Sequence, residues 1–358
     1  MKTVSGDIER ELKKTPQYTR IKHHVLSLLR HSTPKKLINL AAIELQHRLH
    51  RTRVHGYPYF LIIDTGNICN LRCPLCPTGT HEKGISRQLL KFDLFVKIID
   101  RLYPYVYEVA LHNWGEPLLN PDIFKMIMYC QQKNVGTNLS TNLNFPDLDV
   151  EALVRSGLEY LIVSLDGISQ NIYSLYRIGG NIDVVFENIK NIVRTRHALK
   201  TKKPFIEWQY IVMKHNTGQI DDAKRMAREL GVDLIRFIPV GLPFDTRSAK
   251  ELAQKWFPYV PDEQDGYLEG RFLQKPIKGG CFYLYRSVTM NPDGTLAPCC
   301  AVWESKDSFC DLTHTDFSAI WNNESYQSAR ALFSGKKSPV ETVCNRCNLF
   351  CKPPTRNT

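Results

Sequence analysis

The order of the cysteines limits most sharply what this chain can be. Eleven fall along 358 residues. Cys69, Cys73 and Cys76 stand within eight residues of one another, and Cys344, Cys347 and Cys351 form a second tight group. Cys281, Cys299, Cys300 and Cys310 lie between the groups, and Cys130 is isolated. An odd number of thiols in a reducing compartment argues for metal or cluster ligation over disulfides. In the run Cys69-Asn-Leu-Arg-Cys73-Pro-Leu-Cys76-Pro, three soft thiolates can hold one face of an iron–sulfur cube. A cube has one more iron than this run has cysteines, so one iron is left for an exogenous ligand. The competing reading is a structural zinc site, for which His81 is the nearest fourth donor.

Composition narrows the class without naming it. Hydrophobic residues at 43% and charged residues at 23% exclude wholesale disorder. No apolar stretch has the length needed to span a bilayer. Lys2, Asp7, Glu9, Arg10 and Glu11 interrupt any apolar signal core, so a cytoplasmic protein with reduced thiols is expected. The chain holds 47 Lys and Arg against 36 Asp and Glu, and residues 1–56 alone hold 12 against 4. The basic excess thus belongs to an N-terminal extension. The nearly neutral remainder gives no reason to expect a nucleic-acid partner.

Residues 1–57 read as a helical, basic extension. Leu37, Ala41, Leu45 and Leu49 recur every four residues, Ile38 and Ala42 widen the stripe, and Ile21, Val25, Leu28 and Leu29 suggest a shorter helix before Pro34. The simpler expectation is a helical pair whose apolar stripe packs on the domain that follows. The alternative is a basic amphipathic surface that meets a membrane or an acidic partner.

Short apolar runs at 59–63, 106–111, 135–140, 160–165, 205–212 and 234–240 alternate with segments of helical spacing. The clearest such segment, 217–230, is stopped by Gly231. Six such units imply an α/β fold with parallel strands, either a partial (βα)6 TIM-like barrel or a doubly wound sheet. In both, ligands gather at the carboxyl ends of the strands. Cys69, Cys73 and Cys76 follow the first run, Gly115 and Glu116 the second, Ser140 and Asn142 the third, and Ser164 and Asp166 the fourth. The expected organisation is an extension over 1–57, a core over 58–245, a linker over 246–278 and a small cysteine-rich domain over 279–358. In that domain Asn291-Pro292-Asp293-Gly294 signals a hairpin, and a helix is expected over 317–333.

C-x-x-x-C-x-x-C after the first strand of a βα domain resembles the radical S-adenosylmethionine (radical SAM) superfamily. The resemblance implies that Cys69, Cys73 and Cys76 ligate a 4Fe–4S cluster whose open iron binds SAM, and that reductive cleavage of SAM yields a 5′-deoxyadenosyl radical. Trp114-Gly115-Glu116-Pro117 resembles the family's Gly-Gly-Glu-Pro motif, in which Glu116 would accept from the SAM ammonium. Ser140 and Asn142 resemble the ribose contacts. Ser164 and Arg177 resemble the pair that holds the SAM carboxylate. Leu75 stands where the family often has an aromatic residue, and Trp114 where it has the first glycine of a pair.

The C-terminal spacing, Cys281 to Gly294 to Cys299 and then Cys344-x-x-Cys347, resembles a shortened SPASM or twitch-type extension. The resemblance implies a second, auxiliary 4Fe–4S cluster on Cys281, Cys299, Cys344 and Cys347. Cys351 either substitutes for one of them or stays free, and Cys300 and Cys310 are weaker candidates. The same spacings also permit a four-cysteine zinc site. An auxiliary cluster can take an electron from a substrate radical, so the expected reaction is a net two-electron oxidation of a small polar or carrier-bound, sugar- or cyclitol-like substrate. The implied reductant is a flavodoxin or ferredoxin. The first alternative is a peptide or protein maturase. Against it, residues 1–57 read as too short and too helical for a winged-helix leader-binding module. The second alternative is a zinc-stapled binding protein without redox chemistry. Glu207, Gln209, Arg236 and Asp245 lie in the zone where a deprotonating base would sit, and none is singled out.

Overall fold

A computed structural model describes residues 17–243, 248–258, 280–312 and 316–347. Six parallel strands form its centre: β1 (Phe60–Ile63), β2 (Glu108–Ala110), β3 (Gly136–Thr141), β4 (Tyr160–Ser164), β5 (Phe205–Val212) and β6 (Leu234–Pro239). Each coincides with one of the apolar runs. Two helices precede them, α1 (Gln17–Arg30) and α2 (Pro34–Arg48). The crossovers carry α3 (Phe92–Leu102), α4 (Ile123–Gln132), α5 (Val150–Arg155), the pair α6 (Gln170–Tyr176) and α7 (Ile182–Ala198), and α8 (Ile220–Leu230). Gly231, at φ 74°, ends α8 in the left-handed conformation, as its position in the sequence predicts.

The strands lie in the sheet in chain order from β1 to β6. A doubly wound sheet reverses direction at a switch point. This one does not, which selects the partial barrel. Apolar residues from both faces of the strands and the inner faces of the helices form one continuous core, with Val109, Leu139, Leu161, Trp208, Phe95 and Ile189 all buried.

The C-terminal segment extends the same sheet. β7 (Ser287–Met290) pairs in parallel with β1, and β8 (Thr295–Ala297) and β9 (Cys310–Asp311) follow antiparallel. The hairpin turn forms as its residues predict. Asn291 N–H donates to the Thr295 carbonyl at 2.9 Å, and Gly294 adopts φ 89°. The helix expected over 317–333 is two helices, Phe317–Ile320 and Glu324–Phe333. The break has a cause: the Asn323 side chain caps the second helix by accepting from Tyr326 N–H, and Asn322 bonds both backbone groups of Val54. Within the expected linker, residues 249–256 form a helix. Its residues 246–247 and 259–278, together with Asp245 and Cys351, lie outside the described residues.

The N-terminal pair packs with the opposite face from the simpler expectation. Ser27, His31, Lys36, Asn39 and Ile43 are buried, while Leu37, Ala41, Leu45 and Leu49 are exposed. Polar partners on the barrel decide this. Lys36 Nζ donates to the Asn134 carbonyl at 2.6 Å, Asn39 makes paired bonds with the Tyr57 backbone, and His31 meets Asn134 and Glu159.

Candidate active site

A cavity of about 490 Å³ opens at the carboxyl ends of β1 to β6. Cys69, Cys73, Cys76, Gly115, Glu116, Ser140, Asn142, Ser164 and Arg177 all line it. Every residue assigned from sequence to the first cluster or to SAM therefore faces one space. Gln209 and Arg236 line it as well. Glu207 lies fully buried below, bonded to Tyr160 Oη at 2.5 Å and to Arg236 Nε at 2.7 Å.

The cysteine loop is shaped by backbone contacts. Leu71 N–H donates to Cys69 Sγ at 3.3 Å, Cys76 N–H to the Cys73 carbonyl at 3.1 Å, and Arg72 N–H to the Ile178 carbonyl at 2.9 Å. Gly79 closes the loop. A Cβ there would sit 2.6 Å from Cys73 N, so only glycine fits. The sequence reading missed this residue because the close approach is made by the loop folding back on Cys73, not by a turn motif.

Gly115 is held as tightly. A Cβ on it would lie 1.4 Å from the Gly66 carbonyl oxygen. The close backbone approach therefore falls at Gly115, and Trp114 in place of the first glycine does not obstruct it. Asp64, just past β1 and fully buried, accepts from Trp114 N–H at 3.2 Å and also receives the Gly66 and Gly115 amides. Burial pushes its carboxyl up to about 7. Sequence reasoning missed Asp64. Its signal, a lone acid ending an apolar strand, is a weak one.

Glu116 is almost fully engaged by the chain. Oε1 accepts from Thr141 Oγ1 at 2.7 Å and Leu118 N–H at 3.0 Å, and Oε2 from Asn142 N–H at 2.8 Å. A carboxylate has about four lone-pair sites. One remains on Oε2 for a further donor. Burial, against these hydrogen bonds, pushes the carboxyl up to about 7.

Asn142 turns toward the cysteine loop. Its Nδ2 donates to Asn70 Oδ1 at 2.8 Å and lies 3.7 Å from Cys69 Sγ. Ser140 Oγ and Ser164 Oγ meet across β3 and β4 at 3.3 Å. Arg177 lies between the cavity and a buried acid. It bonds Asp166 Oδ2 through Nε at 2.7 Å and Nη2 at 2.6 Å, while Nη1 reaches Cys73 Sγ at 3.8 Å. Asp166, which an Asp-Gly pair would mark only as a turn, is fully buried and orients this guanidinium; Ile211 N–H holds its other oxygen at 2.6 Å.

The donor set suits a cluster. Burial pushes the Cys69 thiol up to about 12 and raises Cys73, and neighbouring thiols add to both shifts. Such thiols ionise only against a strong cationic centre. Among the described residues, no three Cys, His, Asp or Glu side chains gather closely enough for a single metal ion. His81, the fourth donor of the zinc reading, contacts Arg87 instead.

The second cysteine group assembles from three segments. Cys281 precedes the short helix Tyr283–Arg286, the β7–β8 hairpin returns the chain to Cys299, and the turn Val343–Arg346 carries Cys344 to Cys347. Burial raises Cys281, Cys299 and Cys344. Cys347 adds to the shifts of Cys281 and Cys344, and Cys299 senses Cys344 and Cys281. Cys300 adjoins the same set and contacts Tyr283 Oη at 3.8 Å. Cys310 sits on β9, paired opposite Leu296, and Cys130 is a fully buried core residue of α4.

Comparison with known proteins agrees with this geometry. Residues 63–201 match the radical SAM superfamily, and residues 281–348 match an iron–sulfur cluster-binding domain of the SPASM type. A tungsten-containing aldehyde ferredoxin oxidoreductase cofactor-modifying protein of Pyrococcus furiosus is 28% identical over 49% of this chain and 49% of its own length. A GTP 3′,8-cyclase of Clostridium botulinum is 26% identical over 58% of this chain and 66% of its own. The matches thus span about half to two thirds of these relatives. Among solved structures, Streptococcus suis SuiB bound to precursor peptide SuiA superposes with a TM-score of 0.58 at 16% identity, covering 87% of this chain and 74% of that one. The chain therefore carries a radical SAM domain over residues 63–201 and a C-terminal SPASM iron–sulfur domain over residues 281–348, and these domains imply 4Fe–4S clusters and S-adenosylmethionine as cofactors.

Proposed function

We propose that this protein is a peptide- or protein-modifying radical SAM enzyme whose auxiliary cluster makes the net reaction an oxidation. The observation that carries the radical reading is the convergence of three thiols and six further sequence-named residues on one cavity. When bound, the cluster and SAM supply a 5′-deoxyadenosyl radical that takes hydrogen from a substrate carbon. Cys69, Cys73 and Cys76 hold the cluster. Glu116 offers its remaining lone pair to the SAM ammonium. Arg177, oriented by Asp166, and Ser164 meet the carboxylate, and Ser140 and Asn142 lie on the ribose side. Leu71, Ile162, Tyr176 and Ile211 wall the cavity and limit water. Cys281, Cys299, Cys344 and Cys347 would hold the auxiliary cluster, which would take the surplus electron left on the substrate radical once it has lost a proton, while a flavodoxin or ferredoxin would reduce the first cluster.

A second opening favours a peptide over the sugar- or cyclitol-like substrate expected from sequence. A groove of about 800 Å³ shares Cys76 with the active cavity and runs between the cysteine loop and the C-terminal domain. Glu82, Lys83, Glu304, Lys306 and Arg346 line it, so both signs of charge face an extended polar chain. The likeness to SuiB with its precursor peptide supports the same choice. The test is incubation of the reduced, reconstituted protein with SAM and deuterated peptides encoded beside its gene. Deuterium in 5′-deoxyadenosine and a two-electron mass loss in the peptide are expected. Turnover of a cyclitol with no peptide turnover would refute the substrate assignment.

A further inference from the structure

The α1–α2 pair is built inside out for a helical hairpin that only packs on its own domain. Thirteen large apolar side chains are exposed among the described residues, and eight of them lie between residues 21 and 49. Ile21, Val25 and Leu29 form one stripe along α1, and Leu29 is 67% exposed. Leu37, Ile38, Leu45 and Leu49 form the matching stripe on α2, and Ile38 is 72% exposed. At 100° per residue these positions share one face of each helix, opposite the buried Ser27, His31, Lys36 and Asn39. A contiguous apolar face of this kind marks an interaction surface.

Charge selects the occupant. Residues 17–53 hold eight Lys and Arg, of which Lys36 is buried and Arg30 pairs with Glu159, and one acid, Glu44. That acid is engaged by Arg286 Nη2 at 2.6 Å and by Tyr59 Oη at 3.0 Å. Lys22 and Arg48 are exposed beside the apolar stripes. A second copy of the chain would bring two such basic faces together and repel. An anionic lipid surface satisfies both features, since acyl chains take the apolar stripe and headgroups take the cations. The helices have 14 and 15 residues. At ~1.5 Å per residue each is shorter than the ~30 Å hydrocarbon core. No helix of the described residues is long and apolar enough to cross a membrane. We propose that the outward face of α1 and α2 seats this protein on an anionic membrane surface, lying in the interface.

The test is co-sedimentation of the full-length, cluster-loaded protein with vesicles of phosphatidylcholine alone or mixed equally with phosphatidylglycerol. The bound fraction should rise about tenfold on the anionic vesicles and fall again at high salt. The double variant Ile38→Glu with Leu45→Glu should lose that binding about tenfold. Both side chains are exposed, so iron content and SAM cleavage should remain unchanged and report correct folding. Equal partition onto both vesicle types, or unimpaired binding by the variant, would overturn the proposal. A wild-type dimer that the variant dissociates would assign the face to a second copy instead.

Discussion

The two cysteine regions solve the same chemical problem in different ways. The first is local: its thiols occupy one short loop, clamped from outside by Gly79 against Cys73 and by Gly115 against Gly66. It opens into the SAM-sized cavity. The second draws its thiols from a helix start, a hairpin end and a distant turn. It is flanked by the buried Tyr326 and the partly buried Tyr283. An open cluster needs a vacant corner and a rigid approach for its ligand. A closed one needs only enough thiols and low solvent access. The difference teaches that local spacing marks the first thiol group, whereas the second depends on the sheet that joins its parts.

The comparison breaks most decisively at the first loop. Replacing Cys69, Cys73 and Cys76 together with alanine should abolish 5′-deoxyadenosine formation and remove about half the iron. Iron assay and product chromatography check this, and retained cleavage would refute the assignment. Gly115→Ala should cost about 3 kcal/mol or more, because the new methyl overlaps a backbone oxygen that cannot move alone. A thermal melt and SAM titration read it.

Arg177→Lys sharpens the comparison within the open site. It loses the paired bonds to Asp166 and should weaken SAM binding by about ten- to a hundredfold, with the iron content kept. Cys299→Ala tests the closed site. It should lose the auxiliary cluster's electronic spectrum and the oxidised product, while SAM cleavage continues uncoupled. If oxidation persisted, the electron-acceptor role would fail.

The smallest effect at neutral pH concerns the anchor of α1, remote from both clusters. Burial disfavours the Glu159 carboxylate, but hydrogen bonds from His31, Lys203 and Arg30 outweigh it and hold its pKa at about 2, below the ordinary 4.5. A carboxylate depressed in the folded state stabilises above its unfolded pKa and loses that contribution as pH falls. Stability should therefore decline by about 3 kcal/mol between about pH 4.5 and 2. Glu159→Gln should flatten that slope in acid titration followed by circular dichroism.

Much of the fold was legible because parallel strands buried on both faces read as apolar runs, and each of the six runs became a strand. The open site was legible because its ligands follow strand ends, where the chain itself brings them together. Asp64 and Gly79 were not, and Asp166 was marked at a strand end but not for its hold on Arg177. Asp64 acts on Trp114 far along the chain, and Gly79 acts through the way the cysteine loop folds back on Cys73, which spacing alone does not show.

What the residues alone determined was the parallel core, the cysteine loop and the motif positions around it, because periodicity and short spacing act within a few residues. Tertiary structure decided the rest. It joined β7 to β1 and set Arg177 on a buried acid. It also turned the apolar stripe of α2 outward. Amphipathic spacing says that a helix has two faces, but the partner that satisfies Lys36, Asn39 and His31 chooses which one is buried.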